Sequence, residues 1–264
     1  MGNVSSWKYI DVPTLPYANQ GKGIIGFLGS GASSFKPQAP SWFANLARHN
    51  LISEHRFGLA FGTSGKGQIV IGQVDTNLID GPFTTVERVA VNGSYEGSYT
   101  VLGDFTVNGT IFAKDQVIIM DVGTDNIQGP LSVTKKMFDS FGWQTNLKVK
   151  PPPPGGFNNG QGSAKTLLGY FDCSKPPTIG FSFPATSQLK KGQKGTNFNV
   201  SPDVWDVYEH KHDAGNCTSI LGGINALGTT WLLGQSFFAG HYIDFNVQNE
   251  TISYANLKDS SGGS

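Results

Sequence analysis

The apolar residues of this chain occur mostly in short runs separated by Gly, Asn and Asp, which is the pattern of β-strands joined by tight turns. Residues 67–72 form one such run. An Asn-Gly dipeptide at Asn92 and another at Asn108 each follow a short apolar stretch, and this dipeptide favours hairpins because it tolerates positive φ. The unbroken apolar run of residues 117–120 predicts a strand that is buried on both faces. The pattern therefore predicts an all-β fold with antiparallel sheets.

Three segments with a helical spacing of apolar residues interrupt these strands. Ser41 is a suitable N-cap for a helix over residues 42–50. Pro130 stands in the first turn of a second predicted helix, which Gly142 ends. A third, short helix is predicted at Pro202. Each segment has one apolar face, so we expect a few short helices that pack against the sheets.

The composition excludes several classes of protein. Charged residues make up 14% of the 264 residues, and Lys+Arg 19 balance Asp+Glu 19, whereas an average domain has about 25% charged residues. A basic nucleic-acid binder is therefore excluded. The 35 Gly and 14 Pro residues together stay below the share of about 25–30% that marks low-complexity chains. No run of about 18 consecutive apolar residues occurs, so no transmembrane helix is predicted.

The first residues fit an acylation signal. Met1 is followed by Gly2 and, in the required place, by Ser6, which is the pattern for N-myristoylation of Gly2. The alternatives are an ordinary start and a start created by truncation of a longer chain. The residues after Met1 do not have the apolar run of a secretory signal peptide.

Six Asn-X-Ser/Thr sequons provide possible sites for N-linked glycosylation, which would place the protein in the secretory pathway. A chain rich in Asn and Gly acquires several such sequons by chance, so they favour this pathway only slightly. The first sequon begins at Asn3. The other five are the candidate glycosylation sites, at Asn92, Asn108, Asn199, Asn216 and Asn249.

The cysteines and histidines do not form a recognisable metal site. Cys173 and Cys217 lie 44 residues apart without Cys-X-X-Cys spacing, and the five histidines are scattered. For the cysteines, a single disulfide or two buried thiols remain. His210 and His212 are close in sequence, and we interpret them as surface residues. We predict no metal and no cofactor.

Three blocks of sequence together carry a family resemblance. Residues 117–124 read as a buried strand that delivers an aspartate into a Gly turn, which alone is a common turn. Residues 230–238 resemble the closing segment of the pepsin-like aspartic proteases, and residues 67–72 resemble the strand that enters their carboxy-terminal lobe. The resemblance extends from about Gly23 to Ala255. It implies a bilobal all-β fold in which each lobe contributes one Asp-Thr/Ser-Gly loop to a cleft.

Asp121 matches the catalytic aspartate of the carboxy-terminal lobe in this resemblance, and Gly123 and Thr124 match the rest of its loop. The chemistry requires two carboxyl groups about 3 Å apart that share one proton. The 22 residues before Gly23 contain one aspartate, Asp11, which is not followed by a glycine. We therefore expect the first catalytic loop, and the flap that covers substrate, to be absent from this sequence. The alternative role for Asp121 is a turn aspartate that accepts N–H groups of its own loop.

Four residues next to Asp121 are expected to line the substrate cleft. They are Val122, Asp125, Asn126 and Ile127. Val122 stands where the family has Thr or Ser, whose hydroxyl bonds across to the opposing loop, and loss of such a bond costs about 1 kcal/mol. Asp125 and Asn126 replace small and apolar residues. The resemblance further implies a structural role for Gln235, which stands where an aspartate is common.

The resemblance divides the chain into three parts. Residues 1–56 are a remnant of the amino-terminal lobe with one helix, and residues 57–257 are the carboxy-terminal lobe, with an insertion at about 150–163. Residues 258–264 have the composition of a flexible tail. In this family the carboxy-terminal lobe usually contains a disulfide, so the resemblance implies that the two cysteines are bonded.

These observations predict a pepsin-like aspartic endopeptidase homologue that lacks the first catalytic Asp loop and is inactive alone. Its half-cleft would bind a peptide or a protein, as a pseudoprotease does. The alternative is one half of an active endopeptidase, completed by a missing amino-terminal lobe on another chain or by a second copy of this chain. The resemblance implies that the protein is located in the secretory pathway or the extracellular space. The alternative is a cytosolic protein that is tethered to a membrane through acylated Gly2.

Overall fold

The computed structural model of the protein describes residues 42–63, 66–90, 98–150, 164–184, 195–205 and 215–258. The helices are α1 (Trp42–Arg48), α2 (Leu131–Ser140) and α3 (Gln235–Phe238). The strands are β1 (Arg56–Phe61), β2 (Gly67–Ile71), β3 (Ile79–Glu87), β4 (Thr100–Val107), β5 (Thr110–Met120), β6 (Ile127–Pro130), β7 (Gln144–Lys150), β8 (Ala164–Asp172), β9 (Ile179–Phe183), β10 (Thr196–Asn199), β11 (Asn216–Ile224), β12 (Thr230–Leu233), β13 (His241–Asn246) and β14 (Thr251–Leu257).

The strands of the described ranges form two sheets. The five-stranded sheet has the order β2-β1-β13-β14-β3 and is antiparallel throughout. The nine-stranded sheet has the order β10-β9-β4-β5-β12-β6-β11-β8-β7. In it, β12 lies parallel to β5 and β6 lies parallel to β11, while the other neighbours are antiparallel. The predicted all-β fold with a few short helices is confirmed, with these two parallel pairs as the exceptions.

Aromatic side chains from both sheets share one hydrophobic core. Phe57 of β1 stacks on Phe245 of β13 with 4.8 Å between ring centroids, and Phe43 of α1 meets Phe57 edge-on at 5.1 Å. In the nine-stranded sheet, the rings of Phe105 and Trp231 stack at 4.5 Å. Helix α1 is therefore packed into the same core as the strands that follow it, and the division of the chain near residue 56 stays a prediction.

The hairpin predicted at Asn108 joins β4 to β5. Asn108 and Gly109 have φ angles of 50° and 70°, and they connect the paired residues Val107 and Thr110. Positive φ at both central residues is the geometry of a type I′ turn, which matches the twist of the flanking strands. The stretch before Asn92 is different, because β3 ends at Glu87 and residues 88–90 are not in a strand.

The helices lie where they were predicted, but their ends differ. Helix α1 ends at Arg48, because Asn50 takes a positive φ of 53° that leaves the helical path. Pro130 is the last residue of β6, and α2 begins just after it. Gly142 follows the end of α2 with a φ of 66°. The third predicted helix is one 3-10 turn, Pro202–Trp205.

A buried ion pair lies in the five-stranded sheet. The side chain of Asp244 on β13 is 0% exposed and accepts hydrogen bonds from Arg56 Nε at 3.2 Å and from Arg56 Nη2 at 2.8 Å. Arg56 also contacts Glu54 at 2.7 Å, and the side chain of Glu54 is 53% exposed. Burial raises the pKa of Asp244, and the hydrogen bonds and charge of Arg56 offset only part of this effect.

Several predictions fall on residues outside this description. Within the described ranges, no helix has both the length and the apolar character needed to cross a membrane. The predictions that lie outside them concern Gly2, Asn3, Asp11, Gly23, Ser41, Asn92, His210 and His212, most of the insertion, and the tail from residue 259.

Candidate active site

Asp121 lies directly after β5, in the middle of the nine-stranded sheet. Met120, the last residue of β5, pairs with Leu233 at the end of the parallel neighbour β12. The backbone N–H of Asp121 continues this ladder and donates to the Leu233 carbonyl at 2.9 Å. Ile118, Ile119 and Met120 are buried, whereas Asp121 is partly exposed, so the sheet holds this aspartate in a fixed position where the strand reaches the surface.

Each oxygen of the Asp121 carboxylate accepts a hydrogen bond from its own loop. The backbone N–H of Gly123 donates to Oδ1 at 3.0 Å, and the hydroxyl of Thr124 donates to Oδ2 at 2.7 Å. These bonds are those of a turn aspartate, and they also hold the carboxyl group in one orientation. Asp121 is partly exposed, so its free lone pairs can accept a further donor from a ligand.

A second segment, at the junction of β12 and α3, fixes the backbone of the loop of residues 121–126. The N–H of Gln235 donates to the Thr124 carbonyl at 2.8 Å, and its side-chain amide donates to the Val122 carbonyl at 3.0 Å. The N–H and the hydroxyl of Ser236 donate to the Asp125 carbonyl at 3.0 and 2.7 Å. The bonds to Gln235 fit the structural role that the family resemblance implied for it.

Gly234 completes this junction because it has no side chain. A Cβ atom there would overlap the carbonyl oxygens of Thr124 and Asn126. The roles of Gly234 and Ser236 are not visible in the sequence, because their partners lie more than 100 residues away and meet them through the pairing of β12 with β5 and with β6. Both residues lie in the block of residues 230–238, and the family resemblance of this block was the sequence signal that marked the segment.

The four residues expected to line the cleft have different environments. Val122 is half-buried and packs against the core, Asp125 is exposed, and Asn126 accepts a hydrogen bond from Gln128 Nε2 at 3.2 Å. Ile127 is 0% exposed, because the first residue of β6 points into the core. The expectation that Ile127 lines the cleft is therefore corrected: it supports the loop from within the protein.

The two cysteines are bonded to each other. Cys173 and Cys217 form a disulfide with an S–S distance of 2.02 Å, which confirms the pairing that the family resemblance implied.

Among the sequon asparagines of the described ranges, Asn108, Asn199 and Asn249 are exposed, and Asn216 is half-buried. In the part of the chain that the structure describes, no group of three or more His, Cys, Asp or Glu residues is arranged to bind a metal ion.

Comparison with known proteins gives consistent matches. A family model described as eukaryotic aspartyl protease matches residues 6–257. Secreted aspartyl protease 1 of Malassezia globosa is 23% identical over 89% of this chain and 50% of its own length. Renin of Canis lupus familiaris is 22% identical over 93% of this chain and 55% of its own length. A probable aspartic-type endopeptidase, opsB, of Aspergillus oryzae is 22% identical over 89% of this chain and 44% of its own length. The chain thus spans about half the length of these relatives.

Proposed function

The chain belongs to the eukaryotic aspartyl protease family, and from this membership we propose that residues 1–264 act as a pseudoprotease lobe that binds an extended peptide or a protein without cleaving it. The observation that carries the proposal is the single Asp121 loop. Its carboxylate is oriented by Gly123 and Thr124, but no Asp-Thr-Gly or Asp-Ser-Gly sequence occurs in the 264 residues.

The reaction of the family explains why one loop does not suffice. One carboxylate must take a proton from water while a neighbouring neutral carboxyl group donates a proton to the peptide carbonyl. Asp121 can perform one of these roles at a time. Where no second carboxyl group lies beside it, Asp121 can accept a hydrogen bond from a peptide N–H, while the exposed loop around Asp125 adds polar contacts. Binding without hydrolysis is the expected result.

We expect purified residues 1–264 to show no pepstatin-sensitive cleavage of denatured casein at acidic pH. The same protein should bind a fluorescein-labelled casein peptide, measured by fluorescence anisotropy, and Asp121→Asn should weaken binding about 10-fold because a charged acceptor is lost. Asp139→Asn is the matched control, because Asp139 is exposed on α2 and pairs with Lys135 at 2.7 Å. Pepstatin-sensitive turnover that Asp121→Asn abolishes would contradict the proposal, as would equal peptide binding by both variants.

The second candidate is that the chain forms half of an active endopeptidase. The hydrogen bonds from Gln235 and Ser236 that hold the Asp121 loop favour this candidate. A carboxylate without a catalytic role would not need to be held so precisely. A second copy of the chain, or another chain with an amino-terminal lobe, would then supply the missing carboxyl group. In a symmetric dimer both loops would carry Val122 and lack the cross-loop hydroxyl.

Val122→Thr tests the symmetric form of this second candidate. If two copies complete the site, the restored hydroxyl should raise pepstatin-sensitive activity about 5- to 10-fold, the equivalent of one hydrogen bond. The activity should also grow with the square of protein concentration, because two chains form one site. Val122→Ala, which adds no hydroxyl, is the control. A monomer in analytical ultracentrifugation, with no activity in Val122→Thr, would eliminate the symmetric dimer.

For the location, we propose the secretory pathway or the extracellular space. The relatives include a protein named as a secreted aspartyl protease, and disulfides such as that of Cys173 form in oxidising compartments. Glycan mass on the sequon asparagines would support this location. Myristoyl mass on Gly2 would instead support the membrane-tethered alternative.

A further inference from the structure

A cavity of about 600 Å³ opens at the end of the nine-stranded sheet that is remote from Asp121. It is bordered by the β4–β5 turn, the segment after α2, and the ends of β8 and β11 that the disulfide joins. Strand β5 begins beside the cavity and ends at the Asp121 loop. Its 11 residues, at about 3.3 Å each, separate the two sites by roughly 30 Å.

One wall of this cavity is an aromatic surface. Trp143 lies nearly parallel to Phe141 and to Phe171, with ring centroids 5.5 and 5.2 Å apart and interplanar angles of 27° and 25°. It also stacks on the buried ring of Phe138 at 5.2 Å, so protein rings cover much of the two faces of its indole. Phe141 and Trp143 are both partly exposed. The ring atoms of Phe141 and Trp143 that stay exposed give the cavity an apolar wall, which can contact the C–H face of a pyranose sugar because that face is also apolar.

Polar groups surround the aromatic surface. Gln144 and the ion pair of Asp172 with Lys175, 3.4 Å apart, line the cavity and are exposed. Their remaining acceptors and donors can bond the hydroxyl and acetamido groups of a sugar. The cavity volume lies within the range of about 300–1,000 Å³ found for small-molecule sites. An apolar wall with a few polar groups at its rim is therefore suited to a saccharide.

Two sequon asparagines, Asn108 and Asn216, line this same cavity. Asn108 is exposed in the type I′ turn, which is anchored by its backbone N–H to the Thr178 carbonyl at 2.8 Å. Asn216 is half-buried and pairs with Asp172 within the sheet. Of the two cavity-lining asparagines, Asn108 is the more exposed and therefore the more accessible to modification.

We propose that Asn108 carries an N-linked glycan and that the cavity beside Trp143 is the seat of its first N-acetylglucosamine residues. In the modification, the Asn108 amide nitrogen attacks the anomeric carbon of a lipid-linked oligosaccharide diphosphate, bound by the transferase of the secretory pathway. The new C–N bond replaces the C–O bond to the lipid diphosphate, which leaves, and the amide loses one proton. The attached sugar then packs on the aromatic wall.

Variants of Thr110 distinguish the effect of the glycan from the effect of the Asn108 side chain itself. Thr110→Ala destroys the sequon and Thr110→Ser keeps it, and both leave Asn108 in its turn at an exposed position. After expression in a secreting eukaryotic cell, we expect glycopeptide mass spectrometry to find Asn108 modified in the parent chain and in Thr110→Ser. The melting temperature should fall by about 2–4 °C in Thr110→Ala alone. Asn249→Gln, at an exposed turn outside the cavity, should leave the melting temperature unchanged.

A second measurement tests whether the first sugar residues of the glycan lie in the cavity. Peptide-N-glycosidase should release the Asn108 glycan at least 10-fold more slowly from the folded protein than from the denatured protein, because the bound sugar shields the linkage. An unmodified Asn108, equal release from both states, or equal melting temperatures for the two Thr110 variants would overturn the proposal. Binding of free chitobiose by a protein with unmodified Asn108 would also overturn it, in favour of a site for free sugar.

Discussion

Replacing Arg56 by Met is expected to lower the free energy of unfolding by about 3–5 kcal/mol at neutral pH. The methionine keeps much of the apolar volume of the arginine stem, but it leaves the Asp244 carboxylate, which is 0% exposed, without its cation. A buried charge that loses its ionic partner carries the full cost of its desolvation. Urea unfolding of the parent chain and the variant measures this difference.

Glu54→Gln is the matched control, because Glu54 is the exposed partner of the same arginine. Exposed ion pairs contribute about 0–1 kcal/mol, so this variant should unfold almost like the parent chain. If Arg56→Met destabilises the protein no more than Glu54→Gln does, the buried pair is not the source of stability proposed here.

The effect of Arg56→Met should also depend on pH. Burial raises the pKa of Asp244 in the folded state, so its contribution to stability is fully present below the unfolded pKa of about 4 and is lost as pH rises through the folded value. Without Arg56 the folded pKa rises further, and the loss extends to higher pH. The deficit of Arg56→Met should therefore be small near pH 4 and large near pH 7, and a deficit that is independent of pH would contradict this account.

Gly234→Ala is expected to lower the free energy of unfolding by about 3 kcal/mol, and to abolish peptide binding at Asp121. The φ of −88° and ψ of −169° at Gly234 are open to any residue, so the effect is not backbone strain. The added Cβ would overlap the carbonyl oxygens of Thr124 and Asn126. Because these are backbone atoms, no change of rotamer relieves the overlap, and the whole loop must move.

Gly222→Ala provides the control for this substitution. Gly222 is buried in β11, and a Cβ there would find its nearest neighbour, the Leu167 carbonyl oxygen, at an ordinary 3.6 Å. We expect this variant to stay within about 1 kcal/mol of the parent chain and to bind the casein peptide normally. Equal stability and equal peptide binding of the two alanine variants would show that Gly234 does not position the loop.

Local sequence signals predicted the parts of the fold that depend on a few neighbouring residues. The turn at Asn108 follows from the tolerance of Asn-Gly for positive φ, and the end of α2 follows from Gly142 in the same way. The strand that leads to Asp121 follows from its apolar run. In each case the deciding interaction lies within a few positions of the chain.

The features that sequence could not provide depend on distant residues. β6 is only four residues long, Ile127–Pro130, and it exists because β11 and β12 pair with it. The ion pair of Arg56 and Asp244 joins residues 188 positions apart. Ile127 shows the same limit: its apolar character is clear in the sequence, but its burial depends on the pairing of β6 with β11 and β12.

The disulfide has one consequence for how the protein tolerates proteolysis. Cys173 and Cys217 enclose residues 174–216 in a covalent ring, so a protease that cuts once inside this ring leaves both fragments joined. Such a nicked molecule would migrate at full mass on a non-reducing gel and separate into two bands only after reduction. The strands β8 and β11 on either side of the cut would therefore stay paired, and the lobe would survive a break that would otherwise divide it.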